Sequence, residues 1–298
     1  MLPPVIADQG FFALWHPEVA LLVIILGIAY GEVVGPLRIR FPNAPPVPRF
    51  RHVSFYLSLV TVYLAVGTPL QLLADRYLLT AHMIQFVLLS MVMPPLFLIG
   101  LPTWLLEPVI QKPPLRALIR IVTRPGIALV LFTVVFSLFQ LPLLLEATLR
   151  INGLYVLDQY LMMLVSIALW WPIYSPSTRL PALARPLTLL YLFAMSLPTL
   201  LTFALITLAS RAFYPTYIAG AHALGLSPLR DQQVGGAVMK VATMLILLVV
   251  FIQEFFRWVR EERAKESLIT IPTHHIRNPL YRPQHIKVVK DHHTDPGS

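Results

Sequence analysis

The segment from Leu79 to Gly100 reads LTAHMIQFVLLSMVMPPLFLIG and contains no Asp, Glu, Lys or Arg. At 1.5 Å per residue such a run makes about 33 Å of helix, enough to cross the hydrocarbon layer of a bilayer. Six further apolar runs flank it, at 19–37, 53–73, 126–146, 153–174, 184–209 and 234–258. Each is expected as a helix, because lipid offers a single spanning segment no other way to satisfy its backbone. The whole composition agrees. Of 298 residues 57% are hydrophobic and 12% charged, where a soluble domain has about a quarter charged. The mean hydropathy is +0.71. No charged leader with a small-residue cleavage site precedes the first run, which is therefore expected to be retained as a helix. The fold class is all-α, a polytopic membrane bundle of seven helices.

The net charge of +9 reports topology, not a polyanionic partner, since the basic residues are confined to gaps between the runs and no nucleic-acid surface is implied. One face collects Arg38, Arg40, Arg49 and Arg51, then Lys112, Arg116, Arg120 and Arg124, then Arg179 and Arg185. The tail adds Arg257, Arg260, Arg263, Lys265, Arg277, Arg282, Lys287 and Lys290 to that face. The other face holds Arg76, Arg150, Arg211 and Arg230, with Lys240 inside the last run. By the positive-inside rule the N-terminus lies outside and the C-terminus is cytoplasmic. Residues 1–258 form the membrane domain and 259–298 a polar cytoplasmic tail, into which the last helix continues through Glu261 and Glu262. Residues 101–125 have room for an amphipathic piece in the cytoplasmic interface, and Phe41–Pro48 is a stiff connector.

There is no cysteine, which excludes disulfides, zinc-thiolate sites and thiol chemistry. The motifs of phosphate loops, zinc proteases and serine hydrolases are missing too, so an enzyme is not the expected reading. The informative groups are polar ones in or beside a span, because burying them is expensive. His82 is the one histidine inside a run. On a helix it shares a face with Gln85, while Met83 points about 100° away. Taken alone it reads as a histidine at an interhelical contact. His222, in the loop before the last run, reads alone as solvated. Together with Asp75, Asp158 and Asp231 they form a set of donors toward the outer face, with Met83, Met162, Met163 and Met239 as candidate thioethers. Imidazole and thioether ligands without thiolate suit copper better than zinc or iron.

Other expectations are structural. Pro94-Pro95 should kink or end its helix, with neighbours covering the freed carbonyls. Lys240 needs a carboxylate, from Asp231, Asp158 or Asp75, or must reach outward. Glu32 and Glu254 have Arg38 and Arg257 at hand. Gly235-Gly236 allows close helix approach. Trp170, Trp171 and Tyr174 fit an aromatic belt at the cytoplasmic interface. The tail pairs His274-His275 and His292-His293 are weak metal candidates.

Several motifs together resemble the CtaG-type cytochrome c oxidase assembly factors of bacteria. They run from Arg51-His52-Val53-Ser54-Phe55-Tyr56 through Gly67-Thr68-Pro69-Leu70, Ala81-His82-Met83-Ile84-Gln85 and Met93-Pro94-Pro95-Leu96 to Gly100-Leu101-Pro102. Trp170-Trp171-Pro172-Ile173 and the stretch from Leu229-Arg230-Asp231-Gln232-Gln233 to Met239-Lys240 follow in the family's order. The resemblance covers about residues 50–260. It implies a seven-helix protein of the bacterial plasma membrane that matures haem-copper oxidase and handles copper on the outer side. The matching positions are His82, Met83, Asp231, Gln232 and Met239. The chain departs from the pattern at Gln140, at Asp158-Gln159 and at Phe86, where family members often carry histidine.

The expected function is thus a non-enzymatic assembly factor that acts on oxidase subunits within the lipid bilayer. Copper is its candidate metal, held by His82, Met83, Met239, His222 and Asp231. Two alternatives stand beside it: a transporter of metal or small solutes, and an oxidase-associated scaffold without metal.

Overall fold

Proline sets the boundaries of most helices. The computed structural model describes residue 10 and residues 14–41 and 44–269, and helix is the regular structure throughout them. The helices are α1 (Pro17–Val34), α2 (Arg49–Val66), α3 (Pro69–Arg76), α4 (Leu79–Gly100), α5 (Thr103–Gln111), α6 (Pro113–Val122) and α7 (Pro125–Phe139). They continue as α8 (Pro142–Arg150), α9 (Asn152–Tyr174), α10 (Arg185–Met195), α11 (Pro198–Thr207), α12 (Pro215–Ala223) and α13 (Pro228–Ile269). Proline occupies the first or second position of α1, α3, α6, α7, α8, α10, α11 and α12. There its missing N–H costs nothing and its fixed φ suits the helix.

The same residues interrupt runs that the hydropathy alone joins. Five helices are long and apolar enough to cross a membrane, or up to seven when each of two bent pairs counts as one span. The expected span 53–73 bends by 48° between α2 and α3, where Thr68 Oγ1 caps α3 by accepting from the Leu70 amide at 3.3 Å. The expected span 126–146 is broken at Gln140-Leu141, and α6 joins α7 at a bend of 72°.

Pro94-Pro95 behave differently. The helix neither ends nor breaks there; it passes through a π turn at Leu88–Val92 and runs on to Gly100. Pro94 cannot donate to the carbonyl four residues back, and that carbonyl, of Ser90, accepts from the Trp170 indole at 3.0 Å. A neighbouring helix thus covers the freed group. That bond accounts for the full burial of Trp170; Trp171 is 8% exposed, so neither ring is turned out to lipid as an aromatic belt would be.

The main core lies among α4, α7, α9, α10 and α13, around Leu79, Met83, Met91, Phe132, Phe136, Trp170, Leu192 and Met239. A second cluster, of Tyr30, Val34, Phe55, Leu59 and Leu101, joins α1, α2 and the end of α4. Outward faces carry exposed apolar side chains in number, among them Leu21, Ile24 and Ile28, then Leu187 and Leu190, then Val241, Leu245 and Leu248. Water would not tolerate such a surface. The chain is built as a multi-pass membrane protein.

By compactness the chain divides into Met1–Phe256 and Arg257–Ser298. The second unit is described as far as Ile269 and carries a Lys265–Glu262 pair at 3.2 Å. His274-His275 and His292-His293 lie outside the described residues.

Candidate functional site

Three helical stripes meet around one small cavity. From α4 come His82, Gln85, Phe86, Leu89 and Ser90; from the end of α7 come Phe136 and Phe139, with Gln140 just beyond it; from α9 come Tyr155, Asp158, Gln159 and Met162. Each set is spaced as one face of an α-helix, with steps of three and four. The cavity has about 40 Å³ of space for water-sized groups, enough for an ion or one or two waters. Buried polar atoms line it without partners among the described residues: Asp158 Oδ1, Gln140 Oε1 and Ser90 Oγ. The first two are acceptors facing no donor. Burying such groups unsatisfied costs about 1–3 kcal/mol each, so the cavity suits a cation or a hydrogen-bond donor.

His82 and Gln85 share the cavity face as the spacing requires, and Met83 is fully buried on another side. The His82 ring lies 6.1 Å from that of Tyr217 and makes no hydrogen bond among the described residues. Gln85 Nε2 donates to Ala65 O at 2.9 Å and to Gln71 Oε1 at 2.6 Å. Gln71 Nε2 donates in turn to Asp75 Oδ2 at 2.7 Å and to the Tyr155 hydroxyl, which also accepts from Gln159. The wall is therefore a connected polar chain across α3, α4 and α9.

The other expected ligands are placed elsewhere. Asp231 uses both carboxylate oxygens on the start of α4, accepting from Leu79 N at 2.7 Å and Thr80 N at 3.2 Å, while Thr80 Oγ1 donates to Asp231 O at 3.0 Å. It acts as an N-cap supplied by a distant helix, since α4 has no side-chain cap of its own. Both its charge and its lone pairs are matched to the orphan amides of a helix N-terminus. Gln232, 2% exposed, similarly accepts from Phe213 N at 2.8 Å and donates to Ile206 O at 3.2 Å and Arg211 O at 3.3 Å. Met83 and Met239 are fully buried within the apolar core. His222 is exposed in α12. Of the five, the cavity receives His82, and it adds Met162. Among the described residues no group of three His, Asp or Glu side chains is placed to hold a metal ion.

Among the described residues Lys240 takes no carboxylate. Its ammonium donates to Ser196 O at 2.9 Å and reaches Thr199 Oγ1 at 3.5 Å. The α10–α11 break leaves carbonyls free at a negative helix end, which attracts a cation as a carboxylate would. Glu254 is fully buried and receives Arg185 at 2.5 Å. Beside the cavity walls, Tyr217 OH donates to Ala74 O at 2.7 Å and Tyr214 OH to Gln140 O at 2.9 Å. Burial pushes the Tyr214 phenol up to about 12, so it remains a donor at any physiological pH.

The positions where the sequence departs from the CtaG pattern gather here. Phe86, Gln140 and Asp158-Gln159 all line the cavity that His82 lines. No stretch of sequence announces this; the signal is the run of helical stripes that carry these residues, and their convergence is tertiary.

The fold and the cavity define a multi-pass helical membrane protein with a small polar chamber at one end of its bundle. Residues 28–261 match the family described as cytochrome c oxidase caa3 assembly factor, Caa3_CtaG, and the chain belongs to that family. No curated protein and no solved structure matches it.

Proposed function

We propose that this chain is a non-enzymatic assembly factor of the bacterial plasma membrane that receives copper in the His82 cavity and presents it to subunits of a haem-copper cytochrome c oxidase. It crosses the membrane seven times, N-terminus outside and C-terminus cytoplasmic. That orientation rests on the basic residues, which gather at the ends of α4, α7 and α9 remote from the cavity. The cavity then opens toward the outer leaflet.

The observation that carries the reading is that acceptors without donors, Asp158 Oδ1 and Gln140 Oε1, line the same cavity as His82. The His82 imidazole and the Met162 thioether supply the donors that copper prefers, and the two oxygens supply weaker ones. So thin a set suits cargo that must be handed on. Met83, Met239, His222 and Asp231 play no part in holding it.

Purified protein loaded with Cu(I) and dialysed should retain about one equivalent, and His82→Ala should lose it. No retention by the wild type would leave the scaffold reading. Copper uptake into vesicles that depends on this protein would favour a transporter. Deletion of the gene should lower both oxidase activity and the copper content of the assembled oxidase; a normal oxidase in the deletion strain would refute the role.

A further inference from the structure

A second pocket, of about 290 Å³, opens at the far ends of α7 and α9, where Arg120, Arg124, Pro125, Trp171, Pro172 and Leu180 are among its walls. Among the described residues no carboxylate lines it. Arg179 at its edge is taken by Glu107 at 2.8 Å, whereas Arg120 and Arg124 meet no acidic partner among the described residues. Trp171 is 8% exposed, and its indole N–H is buried there without an acceptor. Arg124 and Pro125 open α7, which has no side-chain cap, so its first free amides add a positive helix end. Among the residues that line the pocket every unmatched side-chain group is a donor or a cation; the one unmatched acceptor nearby, Glu107 Oε2, belongs to the residue that holds Arg179 and is not part of the lining. The missing component is an anion with several acceptor oxygens.

The surroundings select among anions. α6 is amphipathic, with Arg116 and Arg120 on one side and Leu115, Leu118 and Ile121 exposed on another. It bends by 72° away from α7. A basic amphipathic helix of this kind lies in the headgroup layer. Beyond the pocket, α7 offers exposed Val130, Val134 and Leu138 to acyl chains.

We infer that this pocket binds the phosphodiester headgroup of an anionic phospholipid, with the Arg120 and Arg124 guanidinium groups and the Trp171 indole N–H holding its oxygens. Arginine forks match phosphate oxygens in pairs, and basic pockets between spans are built for such headgroups. This pocket shares no lining residue with the His82 cavity, and lipid binding there does not depend on copper handling.

The test uses the full-length protein in nanodiscs of equimolar phosphatidylcholine and phosphatidylglycerol, released and weighed intact by native mass spectrometry. Wild type should retain phosphatidylglycerol over phosphatidylcholine by about tenfold or more, and R120Q/R124Q should lose that preference. Trp171→Phe, which removes only the N–H, should lower it severalfold. Arg116→Gln should leave it unchanged. Equal retention of the two lipids by the wild type, or undiminished preference in R120Q/R124Q, would overturn the site. An equal loss from Arg116→Gln would reduce the effect to net surface charge and overturn it too. Displacement of phosphatidylglycerol by an equal concentration of inorganic phosphate would show a free-anion site and overturn the lipid assignment.

Discussion

The antiparallel helices α7 and α9 carry a site at each end, and the two sites leave their polar groups unmatched in opposite senses. At the His82 end Asp158 Oδ1 and Gln140 Oε1 are acceptors without donors; at the Arg124 end Trp171 Nε1 and two guanidinium groups are donors without acceptors. Fifteen residues of α7 separate them, about 22 Å of helix. The first end calls for a cation and the second for an anion. They also differ in how they are held. Buried links from distant parts of the chain clamp the cavity end, whereas the cations of the basic end, Arg120 and Arg124, are exposed as a rim around the buried Trp171 indole. This difference predicts that substitutions at the clamps should be felt as stability and those at the rim should not.

The largest effect should come from Gly220 of α12. A methyl group there would lie 2.3 Å from Arg76 O and 2.4 Å from Tyr77 Cα, which is backbone and cannot swing aside. Gly220→Ala should cost about 3 kcal/mol or more, seen as a lower midpoint in thermal unfolding of the purified protein. Gly126, at the open end, has nothing within 4 Å of the same position, and Gly126→Ala should change stability by less than about 0.5 kcal/mol. Equal midpoints for the two variants would break the contrast between the ends.

Next comes Asp231→Ala. It strips two amides of their shared acceptor at the start of the helix that carries His82, and should cost about 2 kcal/mol. Asp231→Asn keeps an acceptor oxygen and should cost about half of that. If the alanine variant unfolds like the wild type, the trans cap contributes nothing.

Asp231 also shows where sequence reading stops. Its position beside Gln232 in a matching motif marked it as a ligand, yet its partners lie 152 residues away in the chain, and no local pattern points to them. Period and hydropathy made much of the rest legible. They gave the apolar runs, the shared face of His82 and Gln85 and the turning of Met83 away from that face. They did not give the breaks, because Pro69, Pro142 and Pro198 open new helices inside apolar runs while Pro94-Pro95 leave theirs continuous. What distinguishes Pro94 is a tertiary donor, the Trp170 indole, that repairs the lost bond. The same limit hid the Lys240 site, since a helix end offers a cation only partial charges that no residue type announces. Of the candidate ligands, His82 was readable because a histidine inside an apolar run is conspicuous. Asp158 and Gln140 were readable one by one, but not as walls of one chamber.

A smaller effect, of opposite sign, is expected inside the cavity. Asp158→Leu replaces a buried carboxyl lacking one partner with an apolar side chain, and should raise stability by about 1 kcal/mol. The same variant should retain less copper than the wild type, as read after dialysis. A gain of stability with a loss of retention is what a site maintained for function should show. Gln140→His, which restores an imidazole at a family position, should move retention the other way. A fall in stability for Asp158→Leu would mean that its carboxyl is structurally matched and the acceptor-lined reading of the cavity is wrong.

The smallest stability effect belongs to the rim. Arg120 and Arg124 are exposed and have no acidic partner among the described residues, so R120Q/R124Q removes no protein contact that folding depends on. In phosphatidylcholine alone its unfolding midpoint should stay within the range of about 0.5 kcal/mol expected for surface substitutions. With phosphatidylglycerol present the wild type should gain stability that the variant does not, because a ligand bound only to the folded state stabilises it by mass action. The lipid-dependent gap between the two, not the midpoint of either, is the quantity that separates a built anion site from exposed charge. If the gap is absent, the two ends of α7 and α9 are unlike only in sign.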